Sequence, residues 1–215
     1  MREQQSITND VKQSVYLETF VQKILKVSNY TIKYFDRTQY WQDAERFGCQ
    51  FNEHENGYYN PFIEKTIFIS DKLMSDRDLE MTIVHELTHL CQFEYKQFLC
   101  LGSDSRTALV FLTMDGCLNA STDREEAYKR ALRECDATIC SMYYLWYLLD
   151  KNVVTKNYFL NKSIKMMKYM DRSAMYTAIN FLEKRYRKEH LAGREEYIDK
   201  FFVEQLKNTW DYVFE

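Results

Sequence analysis

His85-Glu86-Leu87-Thr88-His89 is the stretch on which the reading of this chain turns. It sets two imidazoles four residues apart with a carboxylate beside the first. On an α-helix that spacing stacks both rings on one face, one turn apart, where they can share a single Zn²⁺. The glutamate between them can reach a water on the open side of the metal and take its proton. Four histidines and 18 glutamates in 215 residues leave roughly 0.006 chance matches to this pattern, so it carries information. The flanks agree with a helix. Thr82-Ile83-Val84 precede the motif and Leu90-Cys91 follow it. At about 100° per residue the two histidines lie about 40° apart, while Ile83, Val84, Leu87, Leu90 and Cys91 cover the opposite side. Glu86 is expected at the border, beside the histidines rather than inside the core. Two blander readings compete: an ordinary amphipathic helix with two solvent-facing histidines, and a zinc site without turnover.

Working outward, the polar connector Ser75-Asp76-Arg77-Asp78 is expected to cap the motif helix, which should run over roughly 78–98. Before it, Lys65 to Ser70 alternates and is β-branched, which predicts a strand. Thr31 to Phe35 is a second strand. Phe47 to Phe51 is expected to pair with a strand that follows Asn56-Gly57, a hairpin turn signal. Pro61 would confine that last strand to an edge or a loop. Val11 to Val27 reads as an amphipathic helix, with Val15, Phe20, Ile24 and Leu25 toward one side. After the motif come a loop at Leu101 to Ser105 and a short apolar helix at Arg106 to Met114. A long helix from about Asp123 to Leu149 opens on Asn119-Ala120-Ser121-Thr122-Asp123. Three further helices are predicted near 155–170, 172–189 and 194–213. No repeat or low-complexity segment interrupts this order.

The composition suits one mostly helical domain of α+β class with a substantial core. Hydrophobic residues make up 46% and aromatic residues 16%, with one Pro and five Gly to break helices. A net charge of −3 implies no strong attraction to nucleic acid or to acidic membranes. The six cysteines (49, 91, 100, 117, 135, 140) form no CxxC pair. Several fall on apolar stripes and are expected to be buried reduced thiols. The polar start Met1-Arg2-Glu3-Gln4-Gln5 reads as no secretory signal, and the apolar run Met142–Leu149 is too short to span a bilayer. The expectation is a cytoplasmic protein without membrane association; export by a signal-independent machine would leave the same sequence. Oligomeric state leaves no mark in the sequence.

A catalytic zinc takes three protein ligands and keeps a fourth position open, so one ligand must come from elsewhere. Here the chain resembles the zincin metallopeptidases of the gluzincin type, in which a glutamate on a second helix completes the site. The resemblance is specific at 81–91 and extends over roughly 60–150. Small gluzincin-like peptidases often carry E-x-[DE]-A after the HExxH, and Glu134-Cys135-Asp136-Ala137 matches it. The resemblance therefore implies His85, His89 and Glu134 as zinc ligands and Glu86 as general base. Thr138 stands where the family frequently has Asp or Asn. Asp136 is the competing third ligand. It lies about 200° from Glu134 around a helix, so only one of the two can face the metal. His54, in a polar loop, and His190, at a charged helix end, are expected to be solvated, and Glu94 to point off the ligand face.

The resemblance also implies a small zincin-like sheet packed on the motif helix and a second ligand helix, within residues 1–150. Residues 151–215 would form a helical extension. The implied activity is peptide-bond hydrolysis, with zinc polarising the carbonyl and Tyr128, Tyr143 or Tyr144 as possible oxyanion donors. A polypeptide substrate could add as a strand to the sheet edge near Thr66–Ser70. Two other functions fit the same residues: an inactive zincin scaffold that binds other proteins, and a zinc hydrolase of a non-peptide amide.

Overall fold

The computed structural model describes residues 14–36, 38, 42, 56–60, 63–70, 75–95 and 124–167; at 124–132, 135, 164, 166 and 167 it describes the backbone alone. The expected strand at Phe47–Phe51 and the helices at 106–114, 172–189 and 194–213 lie outside these residues, as do His54 and His190. The chain divides into two compact units, Met1–Leu99 and Cys100–Glu215. The described architecture is mixed α and β and mostly helical, with one small sheet.

In the first unit, Ser14 caps helix α1 (Val15–Phe20) by accepting the Leu17 N–H. The helix continues as a π-helical turn over Val21–Leu25 and stops at Lys26, which adopts a left-handed conformation. Leu17, Phe20, Val21 and Leu25 are buried. Val15, expected on the apolar side, is 74% exposed. It is the first helical residue and, at about 100° per residue, stands about 200° from Leu17.

The sheet has three described strands: β1 (Thr31–Phe35), β2 (Gly57–Tyr59) and β3 (Thr66–Ser70), in the order β1-β3-β2. β1 runs parallel to β3, and β2 antiparallel to it. The strand expected over 31–35 holds, and the one expected over 65–70 holds from Thr66 onward, Lys65 having φ 47°. A strand is present after Asn56, but Gly57 already belongs to it, and its expected partner at Phe47–Phe51 lies outside the described residues. Gly57 is the first residue of β2 and pairs with Ile69, and the Asn56 carbonyl accepts the Ser70 N–H. Neither residue has the positive φ that a type I′ turn requires at both central positions. β2 does lie at the edge of the described sheet, two residues before Pro61, as the proline predicts.

β3 carries all five residues buried, so it is the centre of the sheet and not an edge. That rules out substrate addition along Thr66–Ser70. Its alternation sorts two faces. Phe68 stacks on Tyr58 of β2 at 4.7 Å, and Phe35 of β1 meets Tyr58 edge-on at 5.0 Å. Ile67 and Ile69 share the other face with their partners Tyr59 and Gly57, and that face receives helix α2.

Helix α2 (Asp76–Glu94) carries the motif. Ser75 caps it, accepting the Asp78 N–H at 3.2 Å and donating to Asp78 Oδ2 at 2.7 Å. Asp76 and Asp78 place negative charge in the first turn, where the helix dipole favours it. Met81, Ile83, Val84, Leu87, Leu90 and Cys91 are buried. These are the positions expected on the apolar stripe, with Met81 added. Cys91 Sγ reaches the Leu25 carbonyl at 3.8 Å, which ties α2 to the π-helical turn. The helix ends four residues before the expected 98, where Tyr95 closes it with an N–H to the Cys91 carbonyl.

In the second unit, α3 (Arg124–Asp150) matches the long helix predicted from Asp123 to Leu149. It ends in a Schellman motif: Asn152 takes φ 55°, and Val153 N–H returns to the Leu148 carbonyl at 2.9 Å. Thr155 Oγ1 then accepts the Tyr158 N–H and opens α4 (Lys156–Met167). Trp146 packs edge-on against Phe159 at 5.3 Å, joining α3 to α4. No described helix is long and apolar enough to cross a membrane.

Candidate metal centre

The helical spacing of His85 and His89 is realised on α2. Their Nε2 atoms lie 3.2 Å apart, with the rings 4.9 Å between centroids and nearly perpendicular. Two nitrogens bound to one tetrahedral zinc at its usual bond length stand about 3.3 Å apart. The two ring nitrogens therefore stand at about the separation that a shared metal needs. His89 Nδ1 is 2.9 Å from Gln92 Oε1 on the following turn.

One ligand atom from each of His85, His89 and Glu134 lies within 4.8 Å of the other two, a grouping that could hold a metal ion. Two imidazole nitrogens and one carboxylate oxygen form a donor set suited to zinc. Among the described residues Asp136 does not belong to such a group. It is fully buried, two positions from Glu134 on α3. A carboxylate in that setting needs partners of its own.

Glu86 departs from expectation. It is 4% exposed, not at a solvated border. Gly57 of β2 lies against its stem. A Cβ added there would stand 2.8 Å from Thr82 Cγ2, 3.0 Å from Glu86 Cγ and 3.1 Å from the Phe68 carbonyl oxygen. The missing side chain lets the strand lie directly on α2, so the strand backbone covers the Glu86 stem. The same strand ends at Tyr59, whose hydroxyl donates to Glu94 Oε1 at 2.8 Å. Burial, and then the hydrogen bond and charge of Glu94, push the Tyr59 hydroxyl well above its ordinary value. Glu94 is thus engaged with β2, in keeping with its expected position off the ligand face.

Tyr143 and Tyr144 are buried in α3; the side chain of Tyr128 lies outside the described residues. Cys91 and Cys140 are buried free thiols, as expected, and the other four cysteine side chains are outside the description. Sequence reasoning missed two residues, Gln92 and Gly57. Gln92 was legible in principle, since three residues beyond His89 returns to the histidine face. Gly57 could not be, because its reason is a helix distant in sequence. No protein-family model, curated protein or solved structure matches this chain.

Proposed function

We propose that this chain is a zinc-dependent peptidase of the gluzincin type, with a polypeptide substrate. The observation that carries the proposal is the 3.2 Å approach of the two Nε2 atoms on α2, in a group with a Glu134 oxygen. His85 and His89 bind the metal through Nε2, and Glu134 through its carboxylate. When bound, zinc supplies Lewis acidity at its remaining open position. Glu86, next to His85 and held by β2, accepts a proton from the attacking water and delivers it to the leaving amine. Strand β2 lies against the Glu86 stem, which supports this role by limiting the positions open to the side chain. The buried free thiols of Cys91 and Cys140 suit a reducing, cytoplasm-like compartment.

The test is elemental analysis of the purified chain together with mass-spectrometric cleavage of a diverse peptide library. About one zinc per chain is expected. Glu86→Gln should keep that zinc and lose about 10²–10⁴-fold in cleavage rate. A chain that takes up no zinc overturns the proposal. So does a zinc-loaded chain that cleaves no peptide, or cleavage that survives Glu86→Gln unchanged.

A further inference from the structure

We infer that Gln92 is the positioning residue for His89, holding the ring in the one tautomer that leaves Nε2 able to bind metal. The inference rests on the zinc site proposed above and adds a residue to it. Gln92 Oε1 lies 2.9 Å from His89 Nδ1. A carboxamide oxygen has no hydrogen to give, so Nδ1 must donate. A neutral imidazole with its hydrogen on Nδ1 keeps its lone pair on Nε2. That Nε2 is the atom 3.2 Å from His85 Nε2.

The placement follows from helix geometry. Gln92 is three residues past His89 and, at about 100° per residue, falls on the far side of His85 from Glu86. His85 and His89 therefore have Gln92 along one flank and the general base along the other. Gln92 is buried, at 6% exposure. Burying an amide is costly unless it is hydrogen-bonded, so a structural filler at this position would more simply be apolar. The amide's orientation is decisive. Turned end for end, it would donate to Nδ1, force the hydrogen onto Nε2 and close the site to metal. Partners of this kind set ligand tautomer and rotation, and losing them weakens metal affinity about 10–100-fold.

Three variants of the full chain test this, read by zinc affinity in competition with a chromophoric chelator. The visible spectrum of the Co²⁺-loaded chain and the thermal unfolding of the metal-free chain are measured alongside. Gln92→Met keeps length and burial but removes the acceptor; affinity should fall about 10–100-fold while metal-free unfolding stays close to that of the parent. Gln92→Glu offers only acceptors and should restore the parent affinity or exceed it, with an unchanged Co²⁺ spectrum. Gln92→Asn withdraws the amide by one methylene and should weaken binding as methionine does. It replaces the methionine chain if that one fails to fold. Parent-like affinity without the acceptor, or a Gln92→Glu chain as weak as the methionine one, overturns the inference and leaves the zinc site standing. A parent chain that binds no zinc removes both.

Discussion

Gly57→Ala tests how closely β2 must lie on the motif helix. The new methyl would arrive 2.8 Å from Thr82 Cγ2, 3.0 Å from Glu86 Cγ and 3.1 Å from the Phe68 carbonyl oxygen. The first contact is closer than packed carbons tolerate, and the third is backbone of the central strand. Overpacking of this kind costs about 1–3 kcal/mol. Alanine also stiffens the unfolded chain, which offsets about 0.4–1 kcal/mol. A net loss of about 1–2 kcal/mol is expected, read as a lower urea midpoint. The contact with Thr82 supplies an internal control. Thr82→Ser deletes the methyl met first and retains the hydroxyl, which donates to the Asp78 carbonyl at 2.9 Å. In the Thr82→Ser background the alanine should therefore cost less by about 0.5–1 kcal/mol. The remaining pressure falls on the Glu86 stem, so the proposed peptide cleavage should drop by more than the folded fraction does. An alanine chain as stable as its parent, or an equal penalty in both backgrounds, would refute the close-approach argument.

Three further outcomes are expected. Ser75→Ala removes the cap of α2 and should cost about 1 kcal/mol in urea unfolding, with zinc stoichiometry unchanged. Glu134→Gln should lose zinc in elemental analysis. Asp136→Asn should retain it and instead lower stability by about 1–3 kcal/mol, as expected for a disturbed buried group; the reverse pattern would make Asp136 the third ligand. The Tyr59 hydroxyl is raised above its ordinary value of 10.0 by burial and by Glu94. It stays protonated longer in the folded chain than in the unfolded one, so its contribution is complete below about pH 10 and fades as the pH rises further. Tyr59→Phe should therefore flatten the alkaline decline in stability measured by circular dichroism.

The sequence showed the local features and hid those set by distant neighbours. The motif helix was readable because ligands, apolar stripe and cap all follow one period over consecutive residues. β1, β3 and α3 were readable for the same reason. The role of Gly57 was not. Asn56-Gly57 is a strong turn signal taken alone, but its meaning here depends on Thr82, Glu86 and Phe68, none of them near it in sequence. The centrality of β3 was hidden because strand order depends on pairing between distant segments, and Thr66 and Ser70 at its ends look like edge residues until both faces are covered.

Helix α2 faces the sheet and the π-helical turn with one set of side chains and presents His85, His89 and Gln92 with another. Glu86 lies under β2, yet replacing one carboxylate oxygen by an amide nitrogen leaves its stem unchanged, so a chain can lose its reactivity while keeping its shape. In the proposed peptidase, a Glu86→Gln copy would still recognise what it can no longer cut. Such a copy is a practical bait: polypeptides retained by it, and released by the parent, would be the natural targets.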